Sequence, residues 1–320
     1  MRPPFTLNLK LLNLCTEIAR LLGRLEGLHV SKPAPKLRKS NRVRTIHGSL
    51  AIEGNTLALD QVTAILEGKR VLGSHREILE VQNALKAYDQ ISKYVPHSTK
   101  SLKHAHNILM HDLVEDAGKW RSKNVGIFHG DKVKHAAPQA KLVPLLMDKL
   151  FAFVKSDKET HPLIRSAVFH YELEFIHPFS DGNGRMGRLW QTTLLAKFHP
   201  VFEFTPLESV IRSRQEDYYK ALGLSDKAAD AGPFVEFSLE TIFQALEDLS
   251  SAIRPEPISV TDRLEIAREQ FRARHFSRKD YLSIFKALST ATASRDLAHG
   301  VRNNILKMMG EKARTSYRFS

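Results

Sequence analysis

The stretch HPFSDGNGRMGR, residues 177–188, gathers one histidine, one acid, two glycines around an asparagine and two arginines into twelve positions between apolar runs. Asp181, Gly182, Asn183 and Gly184 lead directly into a helical pattern. Glycines there let successive backbone N–H groups point into one concavity, which the positive end of the helix dipole reinforces. That is an anion nest. Arg185 and Arg188 lie three apart on the new helix, so both guanidinium groups can reach the same polyphosphate. Asp181 beside phosphates is the natural ligand for Mg²⁺, a hard cation that takes carboxylate and phosphate oxygens. His177 stands at the lip, where an imidazole titrating near neutrality can take a proton from an incoming hydroxyl. Together these are the parts for phosphoryl-type transfer by positioning and charge neutralisation. A lone Gly-x-Gly reads more simply as a turn with solvated arginines; the histidine, the acid and the paired arginines at fixed offsets weigh against that.

The elements that must hold this stretch are mostly helices, because helical spacing is common along the chain and strand-like alternation is scarce. Pro162 opens a helix whose apolar positions Ile164, Ala167, Val168, Tyr171 and Phe175 form one buried face. A second helix starts at about Gly184, with Met186, Leu189, Trp190, Thr193 and Leu194 facing inward, so the twelve residues are a loop between two core helices. Upstream, residues 5–28 give an amphipathic helix, 31–44 read as a basic, proline-broken connection, and a helix begins near Thr45. Thr56 to Gly68, 75–94, 99–114 and Pro144–Lys155 are further helical stretches. NVGIFHGDKVKHAA (124–137) differs in kind: Gly130-Asp131 between short β-prone runs predicts a hairpin, closed by Pro138.

The twelve-residue stretch resembles, position for position, the signature of the Fic family, H-x-F-x-[DE]-G-N-G-R-x-x-R. That resemblance implies AMP transfer from ATP to a Ser, Thr or Tyr hydroxyl of a target protein, self-modification included. It implies His177 as the general base, Asp181 as the residue that holds Mg²⁺, and Gly182, Asn183, Gly184 and Arg185 around the α- and β-phosphates. Arg188 would grip the γ-phosphate, and Phe179, counted with the ATP-binding residues, would anchor the loop in the core. Some relatives use other nucleotides or phosphocholine, so ATP is the family's expectation. Kinase-type relatives carry lysine where this chain has Asn183, which argues against that activity. GKWRSKNVGIF (118–128) is similar to the family's approach to its flap, and the hairpin after it is where such enzymes clamp a target's backbone by strand addition. RQEDYYKAL (214–222) resembles the later helix that encloses the nucleoside, so Tyr218 or Tyr219 would line that pocket, with core packing the alternative for each.

A second motif restrains the first. Ser49 and Glu53 of SLAIEGN share one helical face, and the segment resembles the family's inhibitory helix, [ST]-x-x-x-E-[GN], in the N-terminal position of one class. The resemblance implies that Glu53 pairs with Arg188 in the place of the γ-phosphate. In some relatives the same glutamate activates water to remove AMP, and the direction that dominates here stays open.

Length, charge and cysteine count frame these readings. The chain has 320 residues, 42% hydrophobic and 26% charged, and a net charge of +13 with one cysteine. That composition is globular and rules out an internal disulfide, and the cytoplasm is the expected compartment. Lys10 breaks the early apolar stretch, Leu14 precedes the cysteine, and no apolar run approaches a membrane span. Residues 251–320 hold 14 Lys and Arg against 7 Asp and Glu, so about half the excess charge lies in the last fifth. RPEPISV reads as a linker, after which residues 275–320 read as helix, turn, helix and two short strands, with Ser277 and either Ser289 or Thr290 as caps. This resembles a winged helix-turn-helix. It would place Thr292, Ser294 and Arg295 near the major groove of duplex DNA and Arg314 and Arg318 on phosphates; a dimer or protein-docking unit is the even alternative. His104, His106 and His111 do not share a helical face suited to a metal, and His129 and His135 are expected on the hairpin surface. The expected layout is a helical region with the inhibitory helix (1–95), a Fic core of mainly α class with a β-hairpin flap (96–250) and a winged-helix α+β domain (258–320). A nucleotide-sensing DNA-binding regulator is the competing function, and an intact His177 favours the enzyme.

Overall fold

The computed structural model describes residues 3–27, 35–129, 132–253, 259–285, 288–310 and 315–320, without the side chains of 126–129 and 132–136. The expected hairpin turn at Gly130-Asp131, the orientations of His129 and His135, most of the RPEPISV linker and Arg314 therefore lie outside the described residues. The fold is mainly α. Two units divide the chain, Met1–Ile253 and Arg254–Ser320.

The first unit runs α1 (Leu9–Gly27), α2 (Pro35–Ile52), α3 (Leu59–Leu66), α4 (His75–Tyr88) and α5 (Thr99–Leu109), then an antiparallel hairpin of β1 (Gly126–His129) and β2 (Lys132–Ala136). It continues with α6 (Val143–Ser156), α7 (Pro162–Ile176), α8 (Asn183–Phe198), α9 (Leu207–Ser213), α10 (Gln215–Ala228) and α11 (Gly232–Ala252). The helix α7 is central rather than one-sided: Leu163, Val168, Phe169, His170, Tyr171, Leu173 and Ile176 are all buried, so its apolar face covers almost the whole circumference. Phe175 is only partly buried. Against it lies α8, whose Gly187 permits the approach, since a Cβ there would meet His170 Cδ2 at 2.6 Å. Trp190 of α8 is fully buried and donates from Nε1 to Pro96 O at 3.0 Å.

The segment before Thr45 corrects the sequence reading. Residues 35–44 are not a connection but the first half of α2, which starts at Pro35. Proline breaks a helix interior but suits its first turn, where the missing N–H has no intrahelical partner to lose. Asn41 and Val43, inside the expected connection, are buried, and Asn41 Nδ2 donates to Phe204 O at 2.9 Å. At Gly48 the helix passes so close to α9 that a Cβ would lie 2.7 Å from the backbone of Glu208. These contacts fix the helix that carries Ser49 and Glu53.

The second unit has its own core of Leu264, Ala267, Phe276, Tyr281, Ala293, Leu297, Leu306 and Phe319. Its order is α12 (Val260–Phe271), α13 (Arg278–Ile284), α14 (Thr290–Arg302) and a hairpin of β3 (Leu306–Met309) and β4 (Ser316–Phe319), with Phe276 bridged to Tyr317. Ser277 and Ser289 cap α13 and α14 through their side chains. Buried Asp296 takes a two-pronged ion pair from Arg263, at 2.6 and 2.8 Å. Among the described residues, no helix is long and apolar enough to cross a membrane.

Candidate active site

His177 caps α7 in the left-handed conformation, with φ 51° and ψ 59°. A side chain there costs about 1–2 kcal/mol, so surrounding contacts must impose it. The backbone N–H of His177 donates to Leu173 O at 2.9 Å, and its carbonyl accepts from Arg121 Nε at 2.7 Å. The ring is partly buried, with Nδ1 3.4 Å from the carbonyl of Glu174. A proton on Nδ1 directed at that carbonyl leaves Nε2 as the basic nitrogen.

The loop after His177 is tied down at each step. Phe179 is fully buried and stacks on His106, with ring centroids 3.6 Å apart and planes 4° from parallel. The side-chain amide of Asn183 brackets it: Oδ1 accepts from Phe179 N and Nδ2 donates to Phe179 O, both at 2.9 Å. That amide is thereby committed to the loop, and Asn183 faces the opening of α8 with its main chain. Gly182 takes φ +81°, which favours glycine, and a Cβ there would also lie 2.6 Å from Met110 Sδ, which would have to move. Asp181 Oδ1 accepts from Gly182 N at 2.6 Å and from Arg185 Nη2 at 3.2 Å, while Oδ2 lies 3.6 Å from Arg76 Nη2.

Both signature arginines are buried on α8. Arg188 donates from Nε to Ser49 Oγ at 3.2 Å, and from Nη2 to Ser49 O at 3.0 Å and Glu53 Oε1 at 2.7 Å. Burial works against its charge, but the Glu53 carboxylate, with Tyr218 and Glu174 beside it, outweighs this in sum and strengthens its hold on the proton. A Cβ at Gly184 would lie 2.4 Å from Glu53 Oε1 and 3.2 Å from Arg188 Nη1, so both groups stand over the first turn of α8. Two buried donors, Arg185 Nε and Arg188 Nη1, have no partner among the described residues. Buried N–H groups are almost always paired, so an acceptor, whether a ligand oxygen or an ordered water, belongs beside them.

The Fic/DOC family model matches residues 96–195, which include the whole of this loop. The protein adenylyltransferase Fic of Nematostella vectensis is 32% identical over 223 residues, 65% of this chain and 48% of that protein. Its counterpart from Drosophila yakuba is 29% identical over 235 residues, 70% and 45% of the two chains. The chain thus spans about half the length of the curated relatives it matches. A crystal structure of a Fic family protein from Desulfovibrio desulfuricans G20 is 40% identical with a TM-score of 0.76, covering 100% of this chain and 98% of that one. The chain belongs to the Fic family.

Around the Fic loop the structure adds residues that the sequence reading passed over. His106, set aside as a metal ligand, accepts from Gly118 N at 2.8 Å and lies 3.0 Å from Asp181 O. Glu80 of α4 touches Asn55 Nδ2 at 2.9 Å and Arg185 Nη1 at 3.5 Å, joining the residues that follow α2 to the signature. Neither carried a signal in sequence, because both act through neighbours that only the tertiary fold supplies. Of the two tyrosines, Tyr218 is in the core, bonded to His170 Nε2 at 3.2 Å. Tyr219 is partly buried and donates to the Ile52 carbonyl, next to Glu53, at 3.4 Å. In the second unit Thr292, Ser294 and Arg295 lie on α14 and Arg318 on β4, with both arginines exposed. The Ser294 hydroxyl accepts from Arg278 Nη1 at 2.9 Å, and Thr292 Oγ1 from Arg295 Nη2 at 3.3 Å.

Proposed function

We propose that this Fic protein transfers AMP from ATP to a Ser, Thr or Tyr hydroxyl of a protein, its own chain included, and that Glu53 restrains the reaction. The observation that carries this reading is the pair of buried, unpartnered donors, Arg185 Nε and Arg188 Nη1, on the helix that opens from the Gly182–Gly184 turn. A polyphosphate satisfies both, in the direction the helix dipole favours. The relatives named protein adenylyltransferase point to the same chemistry.

On this reading the nest N–H groups and Arg185 hold the α- and β-phosphates and Arg188 holds the γ-phosphate. His177 Nε2 takes the acceptor's proton as the hydroxyl oxygen bonds to the α-phosphorus. The bond from that phosphorus to the α,β-bridging oxygen breaks, its electron pair leaves on pyrophosphate, and AMP remains esterified to the acceptor. Asp181 fits a magnesium site of the shared kind: its side chain is 43% exposed, and one carboxylate completed by water and phosphate oxygens is a set this ion accepts. Mg²⁺ held there would neutralise phosphate charge. Glu53 places its carboxylate on Arg188, so it repels the γ-phosphate and occupies that phosphate's partner. The flap hairpin of β1 and β2 would align the target backbone by strand addition.

The second unit supports a further reading, a winged helix on duplex DNA, through its net charge of +7 and the exposed Arg295 and Arg318. The chain's single cysteine suits a cytoplasmic setting. The deciding test for the enzyme is label transfer from α-³²P-ATP to protein, with wild type beside His177→Ala. Transfer should vanish in the variant while ATP affinity stays within about threefold, because the phosphates are held by other groups. Full transfer by His177→Ala would remove the base assignment.

A further inference from the structure

Arg121 is 3% exposed, and among the described residues every partner of its guanidinium is a backbone carbonyl. Nε donates to His177 O at 2.7 Å, and Nη1 to Lys123 O at 2.9 Å. Nη2 donates to Pro138 O at 2.5 Å and to Ile176 O at 3.3 Å. Its own main-chain N–H reaches Pro178 O at 2.9 Å. Lys123 and Pro138 flank the hairpin that runs from Gly126 to Ala136, and the carbonyls of Ile176 and His177 are the last of α7. One side chain therefore meets the base's own backbone and both roots of the flap.

The chemistry of that placement is specific. Burying a cation costs several kcal/mol unless fixed negative charge answers it, and the C-terminal end of α7 supplies partial negative charge where Arg121 Nε and Nη2 point. Burial lowers the proton affinity of Arg121, yet an arginine keeps its proton well above neutral pH. His177, meanwhile, sits in a backbone conformation that is unfavourable for a side chain and must be imposed from outside. A rigid planar fork can impose it while gripping three other carbonyls; a single ammonium on a flexible stem cannot match four directions.

We infer that Arg121 is a positioning residue that locks the backbone of His177 and the two roots of the flap into one unit, so that base and target strand keep a common register. The inference rests on the AMP-transfer reading for its catalytic consequence, and on geometry alone for the coupling. Arg121→Lys retains the charge and loses the fork, so it should lower kcat for AMP transfer by about 10- to 100-fold, the usual consequence of about an ångström of misplacement. ATP affinity by calorimetry should stay within about twofold, because the nest and the signature arginines are untouched. Hydrogen exchange should rise at 123–129 and 132–140 and at 177, with α8 unchanged.

Exchange in the wild-type protein provides a measurement that needs no variant to fold: the flap roots near 123 and 140 and the α7 end at 176–177 should open at one common rate. Flap roots that exchange much faster than the α7 end would overturn the coupling, as would an Arg121→Lys protein with wild-type kcat and wild-type flap exchange. Loss of ATP binding and of α8 protection in that variant would also overturn it, leaving Arg121 a general structural residue. If the wild-type protein transfers no AMP, the functional reading fails, while the exchange data still judge the coupling.

Discussion

The ring of His106 accepts a hydrogen bond from Gly118 N through Nδ1, so its proton lies on Nε2, 3.0 Å from the carbonyl of Asp181. Its flat contact with Phe179 completes a clamp on the signature loop. Burial holds the imidazole neutral, pushing its pKa down to about 4, with the bond to the Asp181 carbonyl only partly opposing that. Because the folded value lies below the ordinary value near 6.5, the stabilisation is complete above about pH 6.5 and is lost as pH falls towards 4. We therefore expect ¹⁵N shifts of His106 to report the Nε2–H tautomer with no protonation at pH 5.5. A midpoint near 6.5 would contradict the clamp. His106→Ala should destabilise the first unit by about 3–5 kcal/mol in denaturant unfolding, since it orphans two backbone groups and opens a cavity.

At the scale of elements, the end of α2 is held at several points. Glu53 and Ser49 meet Arg188, Asn55 meets Glu80, and the Ile52 carbonyl accepts from Gln215 Nε2 at 3.2 Å and from Tyr219. Only the first contact sets charge against charge, at the place where the proposed reading puts the γ-phosphate, so Glu53→Gly should raise automodification by about 5–150-fold, the usual span of such coupling. Ser49→Ala should do much less, because the Ser49 carbonyl still accepts from Arg188. Arg188→Ala should not activate, since on that reading it removes the γ-phosphate's partner together with the restraint. Initial rates of AMP incorporation at one Mg²⁺–ATP concentration decide this, and an unchanged Glu53→Gly rate would make α2 merely structural. The same elements show what the sequence makes legible. The glycines, the helix start and the α7 and α8 patterns follow from local rules, because turn chemistry and periodicity are written in neighbouring residues. The start of α2 does not, since Pro35 serves equally as breaker and as first-turn residue until tertiary contacts through Asn41 and Val43 choose. His106 and Glu80 were illegible for the matching reason, each being an ordinary residue whose meaning lies in a partner 75 or 105 positions away, and the resemblance of 118–128 covered Arg121 without showing its bond to His177 O, 56 positions on.

At the scale of the whole molecule, the two units have separate cores, and charge is shared unequally between them. The second unit holds a net +7 of the total +13 in about a fifth of the length. Its ion pair between Arg263 and Asp296 is internal, whereas Arg295 on α14 and Arg318 on β4 are exposed. Phosphate contacts release condensed counterions, so affinity for duplex DNA should fall steeply with salt, each contact adding about 0.9 to the magnitude of the log–log slope. Arg318→Ala should weaken binding nearly uniformly across sequences and reduce that slope by about one, while Arg295→Ala should also blunt discrimination between sequences if α14 enters the major groove. AMP transfer by both variants should match wild type, because neither residue belongs to the first unit. Fluorescence anisotropy of the full chain on labelled duplexes from 50 to 200 mM salt, on the order of a 10³-fold range for six contacts, provides the measurement. A salt-independent affinity, or none in either condition, would assign the second unit to protein docking instead, and its excess positive charge to an acidic partner surface.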